Sequence, residues 1–536
     1  MKNGIFKWVV ICALCALVAT SLPAVGQGKS TQSSFTDEAL KNQTAKAFPN
    51  FPLVYFGSGR FKEVGNPRNQ LVSTYEFDIK QGINRELGYY IDRVNCTDEV
   101  GIVSVNAKNC QCVDLKKQLL HYRVKIMGQN TSRHSVLQGL ITNTIVIGFD
   151  LTTRSWVTSA SATSVFESLP SLDGVLYTDN ATLADASIDF GNIVHRQPIA
   201  LLKPGSIEDI VQIIKFARTH KLKVAARGQG HSTYGQSQVE AGIVIDLSTL
   251  NKIHFIGTDR AIVDAGVLWS QLLQQTLVQE LTPPVLTDYI ELSIGGTLSV
   301  GGIGGATHRY GVQVDNVLEL KVVTGIGDLE TCSLLYNRNL FTAVLAGLGQ
   351  CGIIVQATVK LIPATTNARV FQLYYDDLAT FTRDQCEIIN DQRFNYVEGQ
   401  LVSNNAGGWR YLLEAASFYS PPSVPNNNLL LAGLNYTRGT QQIEDKSYFD
   451  FLNRLAPTVT FLKSIGVWSY PHPWLNLFVP SSAVNSFVGE VAATLTLADT
   501  GEGPILLYPV KTKRFGLPNF RVPNRSVVFL FAILRT

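Results

Sequence analysis

The clearest candidate for chemistry in the 536-residue chain is a glycine-rich segment with one histidine, Arg227-Gly228-Gln229-Gly230-His231-Ser232. Glycines at 228 and 230 leave successive backbone N–H groups exposed, and such groups can form a concavity that binds a pyrophosphate. His231 places a nucleophilic imidazole on the same loop. Taken alone, a loop histidine is more often an ordinary surface residue, and the segment by itself leaves both interpretations open.

Residues 295–305 form a second glycine-rich segment, with six glycines in eleven positions. This composition predicts tight turns and a close approach of the backbone to a cofactor, and Thr297 and Ser299 offer hydroxyl donors. A flexible loop is the alternative, although the apolar residues between the glycines favour burial.

A third segment, Gly347-Leu348-Gly349-Gln350-Cys351-Gly352, matches the G-x-G-x-x-G pattern of dinucleotide-binding folds. That fingerprint follows a strand and opens a helix. Here residues 340–345 predict a helix, and the β-branched run over 353–361 predicts a strand. Because the order is reversed, we interpret the loop as a place where backbone segments approach closely, not as a dinucleotide fingerprint.

These loops need rigid elements to position them, and the chain after residue 189 alternates helix and strand patterns. Ser206 and Asp209 resemble a capping box, and apolar residues then recur at helical spacing as far as His220. Strands are predicted over 223–226, 242–247 and 261–267, and a helix over 268–279. The pattern predicts an α+β unit with glycine loops at strand ends.

The overall composition excludes several classes of protein. Charged residues make up 16% of the chain, hydrophobic residues make up 45%, and the formal net charge is +3. These values argue against a disordered chain and against a polybasic nucleic-acid binder. Eight cysteines in a chain of this length are too few for a disulfide framework. We therefore expect a large globular protein that acts on a small molecule.

Residues 1–26 have the pattern of a secretory signal peptide, because Lys2 and Lys7 precede an apolar run and then small residues. An uncleaved membrane anchor is the alternative, although the run is short for a membrane span. With this leader, the sequons predict a glycosylated protein that is secreted or lies in the secretory lumen. The sequons begin at Asn42, Asn95, Asn130, Asn180, Asn435 and Asn524.

In the region before residue 189, no residues have the types and spacing of a catalytic motif. Short apolar and polar alternations predict a small β-rich domain of unknown role over 27–154, and a Ser-, Thr- and Ala-rich stretch predicts a linker over 155–188. Cys96, Cys110 and Cys112 can supply one disulfide and one free or distantly paired thiol, and no metal site is predicted. Cys332 and Cys351 have apolar neighbours and are expected in the core.

Several separate motifs, in the same order along the chain, resemble the cytokinin dehydrogenases, which are flavoproteins of the vanillyl-alcohol-oxidase superfamily. They are LTDY at 286–289, GGTLS at 295–299, GVQVDNVLEL at 311–320, YVEG at 396–399 and HPWLNLFVP at 472–480. The resemblance implies an α+β fold with a PCMH-type FAD-binding domain over 189–365. It also implies a discontinuous α+β substrate (cytokinin-binding) domain over 366–536. Family members continue past the position of Thr536, so we expect this domain to be C-terminally truncated.

The resemblance also implies roles for individual residues. His231 matches the histidine that bonds covalently to the flavin of FAD, Asp288 the catalytic aspartate, and Glu398 a glutamate that contacts the substrate. From the residues alone, the favoured interpretation of Asp288 is a turn or capping residue, and a structural ion pair is the alternative for Glu398. Flavin contacts carry over to Gly228, Gln229, Gly230, Ser232, Gln236, Asp288, Ser293, Ser299, Ile303 and Ile354.

The implied reaction is oxidative removal of the isoprenoid side chain from an N6-substituted adenine. Asp288 would accept a proton from the exocyclic amine, Glu398 would hold the purine, and an electron acceptor would reoxidise the flavin. No nucleic acid partner is expected, and no membrane contact after removal of the signal. Two alternatives stay open: a related FAD-linked oxidase of sugars or alcohols, and a secreted paralogue without enzymatic activity.

Overall fold

The structure is a computed structural model that describes residues 165–404, 407–501 and 503–535, together with the backbone of six short upstream strands. The chain divides into two compact units, residues 1–136 and 137–536. The predicted signal peptide, the first three sequons, Cys96 and Cys110 lie outside the described residues.

The upstream strands form three antiparallel hairpins. The first unit holds two of them, and the third opens the second unit. The pairs are β1 (Leu53–Gly57) with β2 (Arg60–Val64), β3 (Val103–Val105) with β4 (Cys112–Asp114), and β5 (Val146–Asp150) with β6 (Ser155–Thr158).

A four-stranded sheet follows, built from β7 (Val175–Tyr177), β8 (Ala200–Lys203), β9 (Val224–Arg227) and β10 (Ile243–Asp246). Its order is β7-β8-β10-β9, with β8, β10 and β9 parallel and β7 antiparallel. The linker predicted over 155–188 is therefore wrong for much of its second half, and its first residues, Ser155–Thr158, are already strand β6. Val175–Tyr177 pairs with β8, and the next residues form helix α1 (Asn180–Ala186).

Helix α2 (Ile207–Thr219) begins where the sequence predicts, because the Ser206 side chain accepts a hydrogen bond from the Asp209 backbone N–H. The Asp209 carboxylate does not complete a capping box. It accepts three backbone N–H bonds of 2.8 Å, from Asp173, Gly174 and Gly205. Asp209 thereby fixes the turn before the helix to the chain that leads into β7.

A five-stranded antiparallel sheet completes the amino-terminal part of the fold, with the order β11-β12-β16-β14-β15. Its strands are β11 (Ile253–Ile256), β12 (Arg260–Asp264), β14 (Val317–Val323), β15 (Leu329–Ser333) and β16 (Ile353–Lys360); β13 (Leu281–Thr282) pairs separately with β17 (Ile362–Pro363). Its helices are α3 (Trp269–Leu277), α4 (Ile294–Leu298), α5 (Thr307–Tyr310) and α6 (Arg338–Val344).

The carboxy-terminal part is a seven-stranded antiparallel sheet in the order β21-β18-β20-β19-β23-β24-β22. Its strands are β18 (Asn367–Tyr375), β19 (Tyr396–Ser403), β20 (Trp409–Tyr419), β21 (Gln442–Ser447), β22 (Leu475–Pro480), β23 (Ile505–Lys511) and β24 (Val527–Ile533). Its helices are α7 (Leu378–Asp391), α8 (Asn427–Leu430), α9 (Tyr448–Leu452), α10 (Ala456–Ser464), α11 (Val484–Thr494) and α12 (Leu497–Thr500). Short 3₁₀ turns lie at Phe166–Ser168, Leu247–Thr249, Gln313–Asn316, Val467–Ser469 and Thr512–Arg514.

The two faces of this large sheet pack against different partners, because successive side chains of a strand point to opposite faces. In β19, Val397 and Leu401 belong to the core that also holds residues of α7 and α11. Tyr396 belongs instead to the core of the amino-terminal sheets, and Glu398, two residues on, shares its face. The predicted α+β architecture is confirmed, and this alternation aims Glu398 toward the amino-terminal part of the molecule.

None of the helices among the described residues is both long enough and apolar enough to cross a membrane.

Candidate active site

A cavity of about 1000 Å³ lies where the glycine-rich segments meet. One wall is the loop after β9, and another is formed by α4 and the residues that flank it. The segment over 347–352 also lines the cavity, and it follows helix α6 and precedes strand β16 as predicted. The predicted cofactor residues that line the cavity are Gly228, Gln229, Gly230, His231, Ser232, Gln236, Ser293, Ser299 and Ile354.

Close packing inside the cavity requires glycine at position 228. A Cβ added there would overlap the Ser293 hydroxyl, so that only glycine lets the loop after β9 lie against the start of α4. The start of the second glycine-rich segment, predicted as tight turns, is in fact the short helix α4. Its residues still present Gly295, Gly296 and Thr297 to the cavity.

Polar atoms without partners mark this cavity as a ligand site. Gln238 is 4% exposed, and neither its amide nitrogen nor its amide oxygen has a hydrogen-bond partner. The indole N–H of Trp474 is likewise buried and unpartnered, and both residues line the cavity. Because buried polar groups are normally hydrogen-bonded, these atoms fit a polar ligand such as a dinucleotide.

Cys351 also lines the cavity, and it is exposed, so the prediction that it is a core residue is wrong. Its apolar neighbours Ile353 and Ile354 lie in strand β16, whereas Cys351 lies in the turn before that strand. Cys332 is fully buried, as predicted.

His231 lies between the large cavity and a second one of about 380 Å³, since it lines both. Its ring stacks on the ring of Phe190, with 4.0 Å between the centroids. The ring of His472 also stacks on Phe190, at 3.9 Å, and the three rings form an aromatic cluster. Burial lowers the pKa of His231 to about 3, with smaller contributions from His472 and Lys463. The imidazole is therefore neutral near pH 7, with a lone pair free to act as a nucleophile.

Residues from the carboxy-terminal part hold this aromatic cluster in place. The backbone N–H of His472 donates to the Gly191 carbonyl at 2.8 Å. The Tyr234 hydroxyl donates to the backbone carbonyl of Trp474, also at 2.8 Å. The residues around His231 are thus drawn from both ends of the described chain.

Asp288 and Glu398, the two predicted catalytic residues, are brought together by Arg454. The Arg454 guanidinium donates to Asp288 Oδ1 at 2.9 Å and lies 3.4 Å from Glu398 Oε2. The Tyr396 hydroxyl also donates to Asp288 Oδ1, at 2.5 Å. Both of these donors reach Oδ1, and among the described residues no other N–H or phenol donates to Asp288; its one further partner is the neighbouring carboxyl of Glu398. Asp288 Oδ2 therefore retains a lone pair for a substrate.

Glu398 is 2% exposed, and its Oε1 has no hydrogen-bond partner. Burial raises its pKa well above the usual range of glutamate, and the neighbouring charge of Asp288 raises it further, although Arg454 opposes the shift. At neutral pH we therefore assign the proton of this carboxyl pair to Glu398.

The second glycine-rich segment connects the cavity to this acidic group. At one end of the segment, Ser299 lines the cavity. At the other end, Gly305 packs so closely against the Tyr396 ring that a Cβ would overlap it, and the hydroxyl of Tyr396 binds Asp288. Asp288 itself lies outside the lining of the large cavity, but the ring of its neighbour Tyr289 is 5.3 Å from His231. Ile303 does not line the cavity either, and it packs against the hydrophobic core.

Sequence reasoning missed or set aside several residues of this site: Gln238, Tyr396, Glu414, Arg454 and Trp474. Tyr396 and Trp474 stand inside motifs that carried the family resemblance, which is a usable signal. The sequence signal for Arg454 is weaker: it is a cation that closely follows the largely apolar helix α9. Gln238 and Glu414 carry no local signal at all.

Two family models match the chain. The FAD binding domain matches residues 198–333, and the family described as "Cytokinin dehydrogenase 1, FAD and cytokinin binding" matches residues 400–536. An uncharacterised oxidoreductase, ORF5 in the fasciation locus of Rhodococcoides fascians, is 39% identical over 365 residues, covering 68% of this chain and 83% of that protein. Cytokinin dehydrogenase 2 of Arabidopsis thaliana is 37% identical over 402 residues, covering 68% of this chain and 80% of that protein.

A solved structure shares the fold. The 6-hydroxy-D-nicotine oxidase of Arthrobacter nicotinovorans superposes with a TM-score of 0.53 at 20% identity, covering 68% of this chain and 82% of that chain. With the FAD-binding match, this confirms the predicted PCMH-type flavoprotein fold and FAD as the cofactor.

Gly228→Ala should reduce the flavin content of the purified protein about fivefold or more. The added methyl group overpacks the contact with Ser293, and overpacking costs about 1–3 kcal/mol, which corresponds to roughly 5- to 150-fold in affinity. The measurement is the ratio of flavin to protein absorbance.

The matched control for this variant is Gly489→Ala. Gly489 lies in α11, outside the lining of both cavities, and a Cβ there meets no atom within 4 Å, so its flavin content should equal that of the wild type. Equal flavin loss in both variants would contradict the assignment of the Gly228 contact.

Proposed function

The chain belongs to the cytokinin dehydrogenase family, and from this we propose that it removes the isoprenoid side chain of N6-substituted adenines by oxidation. It is an FAD-dependent oxidoreductase. The observation that carries the proposal is the Asp288 carboxylate, which is held at Oδ1 by Arg454 and Tyr396 while its Oδ2 retains a lone pair.

Bound FAD would supply a two-electron oxidant for the C–H bond next to the exocyclic nitrogen. The protein's part in the first step is proton transfer. Asp288 accepts the proton of the exocyclic amine at Oδ2, which raises the electron density on nitrogen as the adjacent C–H bond breaks. Hydrolysis of the resulting imine releases adenine and an unsaturated aldehyde.

Glu398 serves recognition in this scheme. A protonated Glu398 can donate from Oε1, its unpartnered buried oxygen, to a ring nitrogen of the purine. A substrate without such an acceptor would leave this buried donor unsatisfied, which costs about 1–3 kcal/mol. This selects for a substrate that presents a hydrogen-bond acceptor, such as a ring nitrogen, at Oε1 over one that presents an apolar group there.

We propose that His231 would bond covalently to the flavin, its ring nitrogen replacing one hydrogen of the 8α-methyl carbon. The proton of that C–H bond would be lost, and its two electrons would pass to the flavin ring, which the electron acceptor then reoxidises. A pKa near 3 keeps the His231 imidazole neutral and nucleophilic over the whole physiological range. Gly228 and Gly230 line the cavity beside it, so that their loop can hold the pyrophosphate of the same cofactor.

Asp288→Asn should slow flavin reduction by isopentenyladenine by about a hundredfold or more, because an amide cannot accept the proton, and general bases typically contribute 10²–10⁴-fold. The rate is measured anaerobically by flavin bleaching, with sugars and simple alcohols as competing substrates. The control is Asp445→Asn, a carboxylate whose partner Arg369 lies away from both cavities. Flavin reduction by an alcohol but not by the adenine would contradict the proposal.

His231→Ala should yield a protein whose flavin is released into the supernatant by acid precipitation, whereas wild-type flavin stays with the protein. His195→Ala, at an exposed histidine outside both cavities, should behave like the wild type. Release of the wild-type flavin by acid would show that the attachment is not covalent.

We also propose that the protein enters the secretory pathway and is glycosylated. The leader and sequons motivate this, and the sequon residues Asn180, Asn435 and Asn524 are all exposed. Protein from its natural source should therefore lose mass on digestion with an N-glycosidase. An unchanged mass with an intact leader would contradict secretion by this route.

A further inference from the structure

Arg454 is an arginine in an unusual setting, since its side chain is only 14% exposed. It follows helix α9 by two residues, and its guanidinium carbon lies 5.0 Å from the centre of the Tyr396 ring and 4.9 Å from that of Phe451. These rings hold the side chain in one place, because a guanidinium packs favourably against an aromatic face.

Three carboxyl groups from three separate elements surround this guanidinium. Its Nη2 contacts Asp288 and Glu398, and its Nε donates to Glu414 Oε1 at 3.0 Å. Glu398 and Glu414 stand directly opposite each other on β19 and β20. Two ionised carboxylates in that arrangement would repel, which favours a proton on one of them beside the guanidinium of Arg454.

The charges do not balance if every group is ionised. One guanidinium meets three carboxyls, and among the described residues no other cation forms an ion pair with any of the three. Two phenols complete the surroundings, Tyr396 and Tyr508, and burial raises the pKa of both well above the usual range, so they stay neutral. A buried unpaired charge is costly, and the cluster therefore retains a proton.

We propose that Arg454 is a positioning residue which selects the reactive protonation state of this cluster, with Asp288 ionised and Glu398 protonated. Arg454 binds Asp288 at 2.9 Å and Glu398 only at 3.4 Å, so its charge stabilises the anion on Asp288 more strongly. The inference deepens the proposed function and rests on it, since it concerns how Asp288 becomes the base.

The sign of the pH effect follows from the charges. Removing the guanidinium favours the protonated form of every nearby carboxyl, so activity should be lost at a higher pH than in the wild type. Removing the negative charge of Glu414 has the opposite effect, and activity should then persist to a lower pH. A charge at this distance typically moves such a titration by one unit or more, roughly 1–3.

The experiment measures the rate of anaerobic flavin reduction by isopentenyladenine as a function of pH in flavin-loaded enzyme. Arg454→Met should move the acidic limb upward by about one pH unit or more, so that at a pH within the wild-type limb the rate falls about tenfold or more. Glu414→Gln should move the same limb downward, and Arg454→Lys should restore part of the shift. Arg369→Met, which removes a bidentate partner of Asp445, should leave the limb unchanged.

The outcomes separate the inference from the function on which it rests. A slower Arg454→Met enzyme with an unshifted acidic limb would mean a merely structural role and would overturn the inference. So would a limb that moves the same way in Glu414→Gln and Arg454→Met. If Arg454→Met does not fold, Glu414→Gln and Arg454→Lys still give the decisive shifts. A wild-type flavin that no N6-isoprenoid adenine reduces would contradict the proposed function itself, and the inference with it.

Discussion

A single guanidinium facing three carboxyl groups is the constraint around which this active site is arranged. Asp288 comes from a loop of the amino-terminal part, Glu398 and Glu414 from neighbouring strands of the large sheet, and Arg454 from the turn after α9. Only β19 and β20 are consecutive along the chain, and the loop of Asp288 and the turn after α9 are distant from them and from each other. Because buried charges must be paired, the site exists only when all of these elements are correctly packed.

The connection between this acidic group and the cofactor cavity is short and stiff. The segment over 286–305 passes Asp288, Tyr289 and Ser293, forms α4 along the cavity, and returns to Gly305 under the Tyr396 ring. The position of the base relative to the cofactor is therefore set by one continuous stretch of backbone. This is the kind of rigid support that keeps reacting groups within the small tolerances catalysis needs.

The sequence was sufficient for the parts of the site whose chemistry is local. The loop that holds Gly228 and His231 is six consecutive residues, and its glycines by themselves indicate a backbone that approaches a ligand closely. Arg454 could not be found in this way, because its burial is created by carboxyls 166, 56 and 40 residues away along the chain. The strand Val175–Tyr177 was mistaken for linker because its only stabilising partner, β8, begins 23 residues later.

The contacts between His472 and Gly191, and between Trp474 and Tyr234, have a consequence for how the molecule is made. The wall of the cofactor cavity includes Trp474 and Asn476, which are synthesised almost 250 residues after His231. A ribosome-bound chain that has completed only the FAD-binding part lacks that wall. The cavity closes only after nearly the whole polypeptide has emerged and the large sheet has docked, so flavin content is a natural measure of how many molecules in a preparation have finished folding.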